Sequence, residues 1–222
     1  MIEDFKNKHK GGACVIIGNG PSLAGVNLDG IKFPTFGANK IYEFPFTPTY
    51  YTCVDSVMVL ECIPWLYEHP EFTPLARFLP NYIPYPGAKP LNVKVGTPFS
   101  EDPAAFITLG GTVTFVQMQL ALYMGFKTAY LIGVDNRYPK SSKGGVPGSK
   151  FIATGEDPDH FGKDYFKAGR VYNRPELEAL ENSTYPAAGY AFAHKGCEII
   201  NLGPDSALKC YKTGTIDVIF DT

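Results

Sequence analysis

Polar residues stand at the carboxyl ends of four predicted strands, where they could face one ligand. They are Asn19, Asn39, Asp55 and Asp135. An amide at such a position suits ribose hydroxyls or base edges, and a carboxylate suits ribose hydroxyls or a metal ion. Because open α/β sheets bind their ligands at this edge, the four positions together predict a nucleotide site. Taken singly, each residue is also typical of an Asx turn.

The first of these residues lies in a glycine-rich segment, GNGPSL. Its glycines let the backbone turn and approach a ligand closely, its amides could bind phosphate, and its serine could cap a following helix. The segment is neither G-x-G-x-x-G nor a Walker motif, so a tight turn with a serine cap is an equally good interpretation. The candidate binding residues here are Gly18, Asn19, Gly20, Pro21 and Ser22.

One histidine has the surroundings of a general base. His160 lies in DPDHFGKDYF, among three aspartates and interleaved aromatic residues, and an imidazole titrates close to neutral pH. A solvated loop histidine is the alternative. The sequence has no CxxC pair, HExxH or GxSxG motif, which disfavours metallohydrolases and serine hydrolases. Acidic residues could still hold magnesium beside a nucleotide.

Short apolar runs ending on polar residues predict the strands that position these groups. The runs cover residues 13–17, 34–39, 49–55 and 128–135, and such runs are typical of strands buried on both faces. The segment GGTVTFVQMQLALYMG predicts a helix that buries one face, formed by Val113, Val116, Leu120 and Met124, and stops at Gly125. Helix followed by strand makes a parallel crossover. We therefore expect an α/β fold: a single Rossmann-like, doubly wound, mostly parallel sheet.

Other segments are less regular. Many prolines between residues 64 and 103 argue against long helices there. Residues 136–170, with SSKGGVPGSK near their centre, lack a hydrophobic period and predict a flexible lid insertion in one domain covering residues 1–222. A helix is expected after Arg174, interrupted near Pro186, and CEIINLG predicts a last strand.

Composition excludes several classes of protein. The chain has 222 residues, 45% hydrophobic and 19% charged, which disfavours disorder. A net charge of -2 gives little support to nucleic-acid binding. No apolar stretch approaches the roughly 18–20 residues of a membrane span, and the N-terminus is charged, so we expect a cytoplasmic protein. Five cysteines without a CxxC pair predict buried, reduced thiols.

The motifs CVIIGNGPSL, FGANK, YYTCVDS and TVTFVQMQLALYMGFKTAYLIGVDNRY, followed by DPDHFG, resemble one superfamily. It joins the bacterial family 42 sialyltransferases and flagellin-modifying transferases with the archaeal 6-hydroxymethyl-7,8-dihydropterin pyrophosphokinases (MptE-like proteins). The resemblance runs from about residue 14 to 162, and its middle third is poorly matched. The chain differs from the sialyltransferases in having FITLGG, without an arginine, before the long helix.

The resemblance implies roles for individual residues. Gly18, Asn19, Gly20, Ser22 and Asn39 would hold the cytidine nucleotide of a CMP-sugar, and Asp55 stands where the sialyltransferases tend to have asparagine. Tyr138 would assist the departing phosphate, and His160 would deprotonate the acceptor hydroxyl.

Three functions remain open at this point. The favoured one is a CMP-sugar glycosyltransferase for surface glycans or glycoconjugates, which needs no metal and acts on a small or carrier-linked acceptor. The second is an ATP- and magnesium-dependent pyrophosphokinase in which Asp55, Asp135 or both hold the metal. The third is a non-catalytic nucleotide-binding module. The aromatic stretch from residue 65 to 85 either covers the core or forms an interface in a homo-oligomer.

Overall fold

The structure, a computed structural model, describes residues 1–138 and 148–220, which contain twelve strands. In chain order they are β1 (Ala13–Ile17), β2 (Thr35–Ala38), β3 (Tyr50–Thr52), β4 (Ala76–Pro80), β5 (Lys89–Leu91), β6 (Val93–Lys94), β7 (Ile107–Thr108), β8 (Thr128–Ile132), β9 (Lys150–Ile152), β10 (Val171–Asn173), β11 (Glu198–Asn201) and β12 (Lys212–Thr213).

Eight strands form the central sheet, in the order β12-β11-β8-β1-β2-β3-β4-β5. Every pair of neighbours in it is parallel, so the predicted doubly wound α/β fold is confirmed. The chain proceeds from β1 outward to β5, and later fills the other side with β8, β11 and β12. The order therefore reverses between β1 and β8, and such a switch point opens a crevice at the carboxyl ends of the strands.

The sheet separates two hydrophobic cores, and β1 contributes to both. Cys14 and Ile16 pack into one core, whereas Val15 and Ile17 pack into the other. Alternate side chains of a strand point to opposite faces, so a strand buried on both faces is apolar throughout. The run that predicted this strand has the same bounds as β1.

Helices cover both faces of the sheet. They are α1 (Val59–Glu68), α2 (Val113–Tyr123), α3 (Leu177–Ala179) and α4 (Tyr185–His194). A π turn, Leu180–Thr184, joins α3 to α4 directly before Pro186. The predicted interruption near this proline is confirmed, and its physical cause is the missing N–H of proline within a continuous helix.

Helix α2 ends as predicted but is buried more completely. The Phe126 N–H bonds to the Ala121 carbonyl, and Gly125 has φ +84°, which together form a Schellman motif. The predicted apolar face is buried or half-buried, and because β7 and α4 also contact this helix, most of its other residues are buried as well. One of its buried polar residues, Gln119, has internal partners, because its Oε1 accepts hydrogen bonds from the backbone of Ser100 and Thr108.

Helix α1 enters the proline-rich region and runs through Pro64. Only its last five residues lie between residues 64 and 103, so the prediction of no long helix there is confirmed. Both Pro64 and Leu60 are exposed. Solvent can therefore bond the Leu60 carbonyl that receives no N–H from proline, which lowers the cost of the interruption. Two short strands, β4 and β5, follow it.

The lid predicted at residues 136–170 is described only in part. Residues 139–147, which hold most of SSKGGVPGSK, lie outside the described residues. Beyond them β9 and β10 pair antiparallel, which extends the lid to Asn173, and Ala153, Tyr165 and Tyr172 pack into the core beneath. The described part of the lid is thus anchored by buried aromatic side chains.

Two smaller expectations need correction. Cys14, Cys53 and Cys62 are buried free thiols, but Cys210 is exposed and Cys197 is half-buried, so burial was wrongly predicted for the last two. Strand β11 matches the strand expected at CEIINLG, yet β12 follows it in the sheet. Within the described ranges, no helix is both long and apolar enough to cross a membrane.

The loops after β1 and β8 approach each other backbone to backbone. The Gly18 N–H bonds to the Ile132 carbonyl and the Gly20 N–H to the Gly133 carbonyl, each at 2.8 Å. A Cβ on Gly18 would lie 2.3 Å from the Gly133 oxygen, and one on Gly20 would lie 2.7 Å from the same atom. The GNGPSL glycines are therefore needed for packing, whatever they bind.

We expect Gly18→Ala to destabilise the protein by about 1–3 kcal/mol, since the added methyl group must displace backbone atoms. Denaturant unfolding would measure the loss. Gly162→Ala is the matched control, because its Cβ would meet only Glu43 Oε2 at 3.6 Å, and it should stay within about 0.5 kcal/mol of the wild type. Equal effects from the two variants would contradict the importance of this contact.

Candidate functional site

A cavity of about 580 Å³ opens at the carboxyl edge of the sheet, next to the β1–β8 switch point. Its wall combines the loops after β1, β2 and β8, the start of α2, and the lid. Eight of the ten predicted site residues line it: Gly18, Asn19, Gly20, Asn39, Asp55, Asp135, Tyr138 and His160. The topology thus brings together positions spread over more than half of the chain. Pro21 and Ser22 are not among the lining residues.

Ser22 contacts the cavity through Asp135. Its N–H donates to Asp135 Oδ2 at 2.8 Å, and its hydroxyl donates to Asp135 Oδ1. Only a 3₁₀ turn, Pro21–Leu23, follows the glycine-rich segment, without a side-chain cap. The expected helix with a serine cap is therefore absent at this point. Ser22 and Asp135 instead clamp the loops after β1 and β8 together.

Three asparagine side chains leave buried amide oxygens without a hydrogen-bond partner. The atoms are Oδ1 of Asn19, Asn39 and Asn136, and all three residues line the cavity. Asn39 and Asn136 also have positive φ values of 50° and 46°. Buried polar atoms normally have partners, and left-handed backbone at non-glycine residues is uncommon, so both features are typical of a binding site.

Asp55 has structural contacts on both carboxylate oxygens. Oδ1 accepts the N–H groups of Val57 and Met58 at 2.7 and 3.0 Å, at the start of α1. Oδ2 accepts from Asn173 Nδ2 of the lid at 3.1 Å. This carboxylate therefore joins β3, α1 and β10 at the rim of the cavity.

His160 is held by a carboxylate and an aromatic stack. Its Nδ1 lies 2.8 Å from Asp157 Oδ2, with 9% and 2% of the two side chains exposed. An ionised carboxylate only accepts hydrogen bonds, so this contact keeps the proton on Nδ1 and the lone pair on Nε2. The ring stacks on Tyr165 with centroids 3.9 Å apart and planes at 3°. This arrangement suits a general base.

Tyr138 lies edge-on to His160, with ring centroids 6.0 Å apart. Burial, together with the negative charges of Asp159 and Asp157, raises the pKa of Tyr138. Its hydroxyl therefore stays protonated at neutral pH and can donate a hydrogen bond to an anion in the cavity.

Two parts of the wall escaped the sequence analysis. The α2 N-terminus lines the cavity after the left-handed Gly110 and Gly111, and its Thr112 cap makes no side-chain hydrogen bond. The glycine pair before a helix was the available signal. Arg174 also lines the cavity, with its guanidinium 5.2 Å from the Phe151 ring centroid. No feature of the neighbouring sequence distinguishes Arg174 from the other arginines of the chain.

Solved structures with a similar fold are known, although no protein-family model matches the sequence. One is the sialyltransferase CstII from Campylobacter jejuni in complex with cytidine-5'-monophosphate (CMP), with TM-score 0.55 and 13% identity over 96% of this chain and 88% of that chain. The chain shares this fold. CST-II in complex with a trisaccharide acceptor and CMP has TM-score 0.53 and 15% identity, over 95% and 89% of the two chains.

A third overlay is looser. The MAf glycosyltransferase from Magnetospirillum magneticum AMB-1 has TM-score 0.47 and 15% identity, over 96% of this chain and 37% of that chain. No curated protein sequence matches the chain. The likeness to CstII is thus one of tertiary structure, with the same Rossmann-like arrangement of sheet and helices.

A buried ion pair lies behind the cavity wall. Lys40 Nζ and Glu61 Oε2 are 2.7 Å apart, with 1% and 3% of their side chains exposed. Burial alone would raise the pKa of Glu61, but hydrogen bonds from Lys40 and Tyr172 and the charges of Lys40 and Arg170 outweigh it, so the pKa is lowered. Glu61 therefore favours folding above its unfolded pKa of about 4.3, and this contribution is lost as pH falls through the folded pKa.

We expect Glu61→Gln to lower the free energy of unfolding at pH 7 by about 3–5 kcal/mol, because Lys40 stays buried without its counter-charge. Urea unfolding at pH 7 and pH 4 would measure the free energy of unfolding of both proteins. The difference between variant and wild type should be smaller at pH 4. Glu198→Gln, which breaks the exposed 3.1 Å pair with Lys212, should cost at most about 1 kcal/mol. A difference that widens at low pH would contradict the lowered pKa.

Proposed function

We propose that the protein is a glycosyltransferase that moves a sugar from a CMP-activated donor to a hydroxyl of a small or carrier-linked acceptor, in surface glycan or glycoconjugate synthesis. The observation that carries the proposal is the convergence, in one cavity, of three asparagine Oδ1 atoms without hydrogen-bond partners and the His160–Asp157 pair. The fold shared with CMP-bound CstII supports the same donor class.

The cavity offers each part of such a donor a suitable partner. Amide groups of Asn19 and Asn39 can bond ribose hydroxyls or a base edge. The positive end of α2 and the Arg174 guanidinium can face the negatively charged phosphate of the donor. Charge is supplied locally, which is consistent with a chain whose net charge is -2.

The proposed reaction follows from the placement of His160 and Tyr138. His160 Nε2 takes the proton of the acceptor hydroxyl, and that oxygen attacks the anomeric carbon. The bond from this carbon to the phosphate oxygen breaks, and its electron pair leaves with CMP. Tyr138 donates a hydrogen bond to the departing phosphate, and Asp157 stabilises the imidazolium.

A magnesium-dependent pyrophosphokinase fits the carboxylates less well. Both oxygens of Asp55 accept hydrogen bonds from α1 and the lid, and both oxygens of Asp135 accept from Ser22. In the two described ranges, no three His, Cys, Asp or Glu residues cluster as metal ligands. These carboxylates already serve the fold, so the glycosyltransferase stays the proposal.

Calorimetric titration with CMP, CTP, ATP and UDP, each with and without magnesium, tests the donor. We expect CMP to bind without metal and Asn39→Ala to weaken it by about 1–3 kcal/mol, or roughly 5- to 150-fold, through the lost hydrogen bond. Asn92→Ala, at an exposed residue outside the cavity wall, is the control and should leave affinity unchanged. Binding of ATP only with magnesium would favour the pyrophosphokinase.

The proposed base is tested by His160→Gln, which should lower turnover by about 10²–10⁴-fold while CMP affinity stays close to wild type. Initial rates with a CMP-sugar donor would measure it. His194→Gln is a matched control, because His194 also stacks on a tyrosine, Tyr190, but lies outside the cavity wall. Unchanged turnover in His160→Gln would exclude this histidine as the base; a folded protein that binds CMP without turnover would favour a non-catalytic module.

A further inference from the structure

The buried ion pair connects the body of the protein to the lid. Lys40 follows the cavity residue Asn39 in the 3₁₀ turn Asn39–Glu43, and Glu61 lies in the first turn of α1. Lys40 Nζ also donates to the Tyr165 carbonyl. Glu61 Oε1 accepts the Tyr172 hydroxyl at 2.6 Å and lies 3.5 Å from Arg170 Nη1. Each member of the pair thus bonds both its partner and the lid.

The lid residues held in this way surround His160. The Tyr165 ring stacks under the imidazole, and Phe166 meets the imidazole edge-on at 4.6 Å. Phe166 packs in turn on Tyr172, with centroids 4.2 Å apart. A second set of bonds runs to the cavity floor, where Asn19 Nδ2 donates to the Tyr165 hydroxyl and the Asn19 carbonyl accepts the Phe161 N–H.

Net stability is a poor explanation for an ion pair in this place. A buried pair is often no more stabilising than apolar side chains of the same volume, because desolvation offsets the attraction. Directional bonds, however, define the position of their partners far better than apolar contacts do. The bonds of Lys40 and Glu61 end on Tyr165, which stacks on His160, and on Tyr172, which reaches His160 through Phe166.

We propose that Lys40 and Glu61 are positioning residues that fix the lid, and through Tyr165 and Tyr172 set the place of the His160 imidazole over the cavity. The effect on turnover rests on the proposed function. The effect on the lid does not, so the two can fail separately.

Two variants and a control test the positioning. Lys40→Met removes the charge and the bond to the Tyr165 carbonyl, and Tyr172→Phe removes a single hydroxyl in case the first variant does not fold. The control, Lys195→Met, breaks the 2.8 Å ion pair between Lys195 and Glu101. Both of these side chains are about half exposed, and neither lines the cavity. Hydrogen exchange over residues 157–173 and the NMR shifts of the His160 ring protons would be compared with those of the wild type.

We expect the folded Lys40→Met or Tyr172→Phe protein to exchange at least about tenfold faster in residues 157–173, with little change in the central strands. The His160 ring protons should also shift, because the stack with Tyr165 loosens. Lys195→Met should change neither. Wild-type exchange and wild-type His160 shifts in folded Tyr172→Phe and Lys40→Met would overturn the positioning role.

Kinetics separates the two proposals. With a CMP-sugar donor, Tyr172→Phe should lower kcat by more than it raises the KM of the donor, since the nucleotide contacts the asparagine side of the cavity. Faster lid exchange with unchanged kcat would leave the lid contact standing and overturn the effect on His160. Faster lid exchange in the variants, together with no transfer by the wild-type protein, would overturn the proposed function and keep the positioning.

Discussion

The close approach of two backbone loops, after β1 and β8, is the constraint on which the site depends. Where the chain leaves two neighbouring parallel strands toward opposite sides of the sheet, a crevice opens between their carboxyl ends. Here Gly18 and Gly20 bring the first loop onto the Gly133 carbonyl, where no Cβ fits. The Ser22–Asp135 bonds then tie the loops together. Asn19, between these two glycines, lines the cavity and donates a hydrogen bond to Tyr165 of the lid.

Above this floor, the lid contributes His160, the proposed general base. His160 gains its orientation from Asp157 and Tyr165, which belong to the lid itself. The lid in turn gains its position from Asn19, Lys40 and Glu61, which belong to the sheet and to α1. The site thus combines the lid with the sheet and α1, joined by a few buried polar contacts. Under the proposed function, their relative placement decides whether His160 can reach a substrate.

Charge in the cavity is divided between support and binding. The carboxylates of Asp55 and Asp135 accept hydrogen bonds that hold loops and helix ends, and such bonds offset part of the cost of burying them. The positive end of α2 and Arg174 also line the cavity. Under the proposed function they face the negative charge of the donor, and the carboxylates hold no metal ion.

Local pattern in the sequence determined much of the framework. The spacing of apolar residues is encoded in the local sequence, so it predicts where β1 ends and where α2 stops. The polar residues that follow such runs, Asn39 among them, were therefore predicted to lie at the cavity. Contacts between distant segments carry no local signal. Only the tertiary structure decided that Ser22 bonds to Asp135, that α1 continues through Pro64 because its outer face meets solvent, and that Lys40 and Glu61 meet in the interior. These outcomes depend on which surfaces pack together, since packing sets the burial and the partner of each polar group.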